Sequence, residues 1–241
     1  MPMSSIARAS ILAVLVLAAA GMSSCMQLPF GCKVEAPDVA ATPDSFVVAF
    51  ETSRGRFDVL ARKDWAPLAA SRFHELVAAK YYDDNRFFRV IKGFVAQFGV
   101  NGDPAVNKSR RRECIDDEPV KHTNARGTLS FGTAGPRTRS VQMFVNLDNN
   151  TTLDTMDGIG FPPFGEVVSG MNVVDSLYSG YGEAAPRSGT QYGREGPMQD
   201  SVILQGNPYL VKGWPKMDYV KTARIVQEWG GAGRGAGGTP P

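Results

Sequence analysis

Histidine is almost missing from this chain: 241 residues include only two, His74 and His122. They lie far apart and neither sits beside a cysteine pair of metal-ligand spacing, so no zinc centre is expected. Cysteine is nearly as scarce, with Cys25, Cys32 and Cys114 alone, which excludes a small domain stapled by many disulfides. An excess of one charge is lacking too, since 26 basic and 24 acidic side chains leave a formal +2. No broad basic field advertises nucleic acid, and the short run SRRRE (109–113) reads as a solvated loop. Long hydrophobic runs are absent: ILAVLVLAAA (11–20) is too short for a spanning helix.

What is present is an ordinary globular composition, 43% apolar and 21% charged, enough for a sizeable core. The first residues have the layout of an export signal. One positive charge, Arg8, precedes the apolar run, and small residues follow in GMSSC. Two processing readings stay open: MSSC resembles a bacterial lipobox with Met22 where leucine is usual, giving a lipidated Cys25, or cleavage falls near Ala18-Ala19-Ala20. Either sends the chain out of the cytoplasm, to a periplasm or cell envelope, with membrane attachment in the first case. If Cys25 is lipidated, Cys32 and Cys114 become an even pair in an oxidising compartment; whether they bond is left open, because sequence does not supply the geometry.

The expected organisation is an export signal (1–24), a flexible tether with Pro29, Pro37 and Pro43 (25–44), one domain (45–206), an extension (207–229) and a glycine-rich tail (230–241). Trp214, Tyr219, Ile225 and Trp229 suit the extension for packing on the domain. The tail's GRGAGG matches a dinucleotide-binding pattern formally, but no strand precedes it and no helix follows. A hairpin is expected around Ser53-Arg54-Gly55. A helix is expected over 64–82, with Asp64 as its cap, Pro67 in its first turn and Phe73, Leu76 and Val77 at helical spacing. His74 falls on that helix, partly exposed and without a chemical role. GTLSFGT (127–133), VQMFVNL (141–147), FGEVVSG (164–170) and DSVILQG (200–206) read as strands, and MNVVDSLYSG (171–180) as a second helix. IDDEPV (115–120) reads as a polar turn without calcium-loop spacing. The class is mainly β: an antiparallel barrel or sandwich with helices at its ends.

RFFRVIKGFVAQFG (86–99) is the anomaly. It is suited to burial, yet carries Arg89 and Gln97, whose unpaired burial costs several kcal/mol. Taken alone, Arg89 reads as a structural ion pair, and Phe94 and Phe144 as core aromatics.

The blocks FFRVIKGFVAQFG, GTLSFGTAGPRTRSVQMFVNL and LD…FPPFGEVVSGMNVVD, in that order and spacing, resemble the cyclophilins, peptidyl-prolyl cis-trans isomerases, in a divergent bacterial-like form. The resemblance covers about 45–206. It implies a closed eight-stranded antiparallel β-barrel capped by two α-helices. It places the catalytic arginine on Arg89, the proline-pocket phenylalanine on Phe94, the glutamine on Gln97 and the pocket floor on Phe144, with Gln142 nearby. The segment that pairs with the substrate backbone falls on Gly132-Thr133, and the pocket leucine on Leu153. Three positions depart from commoner members. Thr152 stands where many eukaryotic ones have tryptophan, Phe161 near a usual histidine, and Val95 for methionine. These changes reshape one wall of the groove and bear on sensitivity to cyclosporin-type cyclic peptides.

The implied chemistry needs no cofactor, metal, nucleophile, acid or base. An X-Pro bond costs about 0.5–1 kcal/mol to be cis, but amide resonance makes the barrier about 18–20 kcal/mol. In the twisted state the proline nitrogen becomes a hydrogen-bond acceptor, so a fixed donor aimed at it binds the transition state better than either planar form. The expected partners are proline-containing polypeptides met by a monomer; the alternative is a non-catalytic module that holds proline-containing segments in the same groove.

Overall fold

The computed structural model describes residues 31–183 and 196–231. Cys25, the export signal and most of the glycine-rich tail therefore lie outside the described residues. In chain order the elements are β1 (Lys33–Val34), β2 (Ser45–Thr52), β3 (Gly55–Arg62), α1 (Pro67–Ala78), β4 (Arg89–Ile91), β5 (Val95–Phe98), α2 (Pro104–Arg110), β6 (Glu113–Cys114), β7 (Thr128–Phe131), β8 (Met143–Asn146), β9 (Pro163–Ser169), α3 (Met171–Asp175), α4 (Gln199–Gly213) and β10 (Val220–Trp229). Short 3-10 turns at Thr151–Asp154 and Met156–Gly158 join β8 to β9.

Eight strands form one curled sheet in the order β10-β2-β3-β9-β7-β8-β5-β4, every neighbouring pair antiparallel. Its inner face is filled by aromatic rings. Phe50 stacks on Phe57 at 4.9 Å, Phe87 meets Phe98 at 4.9 Å, and Phe73 of α1 meets Phe164 of β9 at 5.1 Å. Burying rings this large supplies most of the driving force for such a core.

The expected closed barrel is corrected here to a curled, half-barrel sheet. The end strands β4 and β10 share no ladder, because β4 is only three residues long. A single bridge, Arg86 to Tyr219, spans that side, helped by Phe87 N–H donating to Asp218 O at 3.0 Å and Val220 N–H to Asn85 O at 2.8 Å.

Three local expectations also change. Helix α1 runs over Pro67–Ala78 rather than 64–82, and its cap is not Asp64: Glu118, fifty residues on, accepts from Leu68 N–H at 2.7 Å and Ala69 N–H at 2.9 Å. A carboxylate there meets both the unpaired amides and the positive end of the helix. Helix α3 ends at Asp175, not at Gly180. The stretch 200–206, expected as a strand, forms the first half of α4, which breaks at Gly206 (φ 61°, ψ −147°) before continuing through Pro208. Val202, Gly206 and Leu210 are its buried positions, a spacing of four that fits a helix face; the β-branched run hid it. Gly206 is required there, since a Cβ would lie 2.2 Å from Gly102 O.

Helix α4 builds a second apolar cluster, in which Val202, Leu210 and Met217 pack with Phe88 and Val100, joined by Tyr181, Tyr209 and Trp214. The chain then returns as β10 on the free side of β2. Four helices thus occur among the described residues, where two were expected. Within the segment read as a tether, β1 pairs with β6 in parallel, and Cys32 is bonded to Cys114 with 5.6 Å between their Cα atoms. His74 is tied to Glu228 of β10 at 2.9 Å, so it joins helix to sheet.

Candidate active site

Strand alternation resolves the anomaly of 86–99. Across four strands one row reads Arg89, Gln97, Phe144, Ser130, and the adjacent row reads Val90, Ala96, Val145, Leu129. Successive side chains point to opposite faces. The second row is wholly in the main core, which turns the first row outward. Phe87, Val90, Ala96 and Phe98 thus fill the sheet's inner face while the arginine and glutamine of the stretch stay on the outer one.

On that outer face Arg89 lies in a dense set of contacts. Its Nη1 donates to Gln97 Oε1 at 3.2 Å, and Gln97 Nε2 donates to Gln142 Oε1 at 3.0 Å. The guanidinium carbon sits 5.6 Å from the centre of the Phe94 ring, close enough for a cation–π contact. Phe94 follows Gly93, whose φ of 72° makes the turn between β4 and β5, and its N–H donates to Ile91 O at 2.9 Å. From the far side Glu183 grips the guanidinium, accepting from Nε at 3.0 and 2.9 Å and from Nη2 at 2.6 Å. The ion-pair reading of Arg89 therefore holds as geometry, yet the side chain keeps 17% exposure against 6% for Glu183, so the cation still reaches solvent.

Beside it lies a separate apolar patch of Val95, Phe144 and Leu153, with Phe94 and Phe161 packed against it and partly buried. Phe161 meets Phe144 edge-on at 5.6 Å, and Thr152 is exposed next to Leu153. Gly132 closes the third side: its N–H donates to Gln142 O at 2.9 Å, and its Cα side faces Gln97 Nε2. Thr133 bonds the Thr138 hydroxyl at 3.0 Å and the Gly135 carbonyl, shaping the loop after β7. Of the nine residues expected to line the groove, Phe94 and Gln97 touch Arg89, Gln142 and Gly132 adjoin Gln97, Val95, Phe144, Leu153 and Phe161 share the patch with Phe94, and Thr133 lies in the loop beyond Gly132. Two other concavities, one lined by Val39, Asp44 and Arg62, the other by Pro104, Arg111 and Ile203, share no residue with this groove.

A polar layer beneath the patch carries residues that sequence reasoning missed. Buried Asn124 donates to Asp154 Oδ1 at 2.7 Å and to Phe161 O at 2.9 Å, and accepts from Ser130 at 3.0 Å and Asn146 at 3.1 Å. Asn150 donates to Phe94 O at 2.8 Å and to Asn146 Oδ1 at 2.7 Å. The amides hold the backbones of Phe94 and Phe161, opposite walls of the patch, at a set separation. Burial alone would push the Asp154 carboxyl up, but donors from Thr123 and Asn124 outweigh it and hold its pKa below the usual range. The asparagines are spread over 124–150, so only the fold assembles them. Glu183 was missed as well, since it lies 94 residues from Arg89 with no motif around it beyond a glycine-rich turn.

Both the sequence and the fold are similar to those of known proteins. Residues 47–205 match the family of cyclophilin type peptidyl-prolyl cis-trans isomerases. Peptidyl-prolyl cis-trans isomerase B of Escherichia coli is 32% identical over 163 residues, covering 65% of this chain and 96% of that protein. A peptidyl-prolyl cis-trans isomerase-like 1 of Aspergillus oryzae is 37% identical over 134 residues, 54% of this chain and 80% of the relative. In fold, a cyclophilin of Cryptosporidium parvum superposes with a TM-score of 0.54 at 21% identity, covering 75% of this chain and 97% of that one; the same protein has been solved in the presence of the dipeptide Ala-Pro, with a TM-score of 0.52. The chain belongs to the cyclophilin-type peptidyl-prolyl cis-trans isomerases, and its activity class is isomerisation of X-Pro peptide bonds.

Proposed function

We propose that this isomerase acts on proline-containing chains outside the cytoplasm and that Arg89 is the donor that favours the twisted imide. The row of Arg89, Gln97 and Phe144 carries the reading, because it sets a cationic donor beside an apolar patch. A proline ring seated among Phe94, Phe144, Leu153 and Phe161 leaves water, and its imide then lies against the guanidinium. Low local dielectric strengthens a charged donor to the pyramidal nitrogen. Gln97, braced by Gln142, receives the neighbouring peptide group, and the partly buried backbone at Gly132-Thr133 pairs with the substrate chain. Each ~1.4 kcal/mol removed from the barrier gives tenfold in rate.

The layout of residues 1–25 supports an exported enzyme, periplasmic or attached to the envelope through an acylated Cys25. Proline isomerisation takes tens of seconds unaided, slow enough to delay folding of exported chains, so such chains are the proposed clients. The test is exchange spectroscopy on an Ala-Pro peptide: catalytic amounts of protein should bring its cis and trans signals into exchange, and binding without exchange would refute the assignment of Arg89. Mass spectrometry of the mature N-terminus checks the export reading, which fails if residues 1–24 remain attached.

A further inference from the structure

We propose that Glu183 is a positioning residue for the isomerase reaction: it fixes the plane and edge of the Arg89 guanidinium that meets the substrate. This rests on the reading of Arg89 as the donor to the twisted imide. A guanidinium has five N–H bonds in one rigid plane. Glu183 takes the Nε edge together with Nη2, and Gln97 takes one hydrogen of Nη1. Among the described residues, one N–H on each terminal nitrogen carries no partner and is left for a ligand, both held in a plane set by two partners and by the Phe94 ring. Without the carboxylate, the end of a long side chain would turn about its last torsions, and those N–H bonds would lose their aim.

The position of Glu183 fits this task rather than competition with substrate. It is the more buried of the two side chains, while the guanidinium keeps the larger exposure. The described residues beside it are bonded: Gly182, at φ 59°, turns the chain, Gly182 N–H donates to Ser179 O at 3.1 Å, and Gly196 N–H donates to Glu183 O at 3.1 Å. Tyr181 packs into the second apolar cluster, which also holds Phe88, the residue preceding Arg89. Helix α4 therefore supports the arginine and its carboxylate from a single core, which gives this C-terminal segment a use in the site.

The experiment compares Glu183→Gln, Glu183→Ala and Arg89→Lys by exchange spectroscopy and peptide titration on the full chain, with thermal unfolding to identify folded samples. Glu183→Gln keeps the shape and one acceptor, so it remains informative if Glu183→Ala fails to fold. The expected result is a turnover about tenfold lower in Glu183→Gln with peptide affinity within twofold, and an Arg89 Nε–H resonance that loses its protection from exchange. Combining Glu183→Gln with Arg89→Lys should cost nothing beyond Arg89→Lys alone, since the carboxylate acts through the guanidinium. Turnover in Glu183→Gln within twofold of wild type, or above it, while Arg89→Lys is impaired at least tenfold, overturns the role of Glu183 and leaves Arg89 standing. Near-normal turnover in Arg89→Lys removes the underlying reading and this one with it.

Discussion

Arg89 and Gln97 face each other across the β4–β5 ladder, and the guanidinium donates to the carboxamide at 3.2 Å. The pairing makes them one unit, since moving either changes where the other points. Arg89→Lys keeps the charge beside Glu183, so the carboxylate is not stranded, but replaces a planar fork by a point donor. We expect kcat/KM to fall at least tenfold with an unchanged circular dichroism spectrum. Arg89→Ala is the poorer probe, because a buried carboxylate without its partner costs about 3–5 kcal/mol.

Phe161 offers a cleaner probe of the apolar patch than Phe144. Phe144 is almost fully buried, so truncating it damages packing as well as binding, whereas Phe161 is only partly buried and touches Phe144 edge-on. Phe161→Ala should weaken peptide binding about tenfold while shifting the melting temperature by a few degrees at most. A titration followed by NMR, alongside a thermal melt, checks both.

Asp154 supports the patch from below. Asp154→Ala leaves Asn124 with an unmet buried donor and should destabilise by about 1–3 kcal/mol. Its carboxyl pKa is lowered in the folded chain, so its contribution to stability is present above the unfolded value near 3.9 and is lost as pH falls through the folded value. Urea unfolding from pH 6 to pH 3 should show wild-type stability declining below about pH 4, and Asp154→Asn should make that decline shallower.

The Cys32–Cys114 bond closes a sequence separation of 82 residues. In the chain-entropy picture such a link stabilises by about 4–5 kcal/mol. No residue of the Arg89 row lies on β1 or β6, so the paired Cys32→Ser/Cys114→Ser variant should melt earlier while its kcat/KM at 25 °C stays within twofold of wild type. Denaturant titration with and without reductant measures the first part.

The site was legible in the sequence to the extent that it is local. Arg89, Phe94 and Gln97 fall within nine residues, and Phe144 lies in one compact block, so their order and spacing carry a family pattern directly. The polar layer was not legible, because Asn124, Asn146, Asn150 and Asp154 meet only after β7, β8 and the 3-10 turns fold together. The stretch 200–206 misled for a different reason: Val202-Ile203-Leu204 has strand propensity, and contact with Phe88 and Val100 overrides it.

By itself the sequence determined a mainly β chain and, through a compact family motif, the class of chemistry, since strand patterning and a compact motif are properties of neighbouring residues. Tertiary structure alone decided the carboxylate on Arg89, the cap on α1, the amide layer under the groove, the disulfide partnership and the gap between β4 and β10. Each of these joins groups far apart along the chain, and hydrogen bonds and ion pairs depend on distance in space, to which separation in sequence is blind.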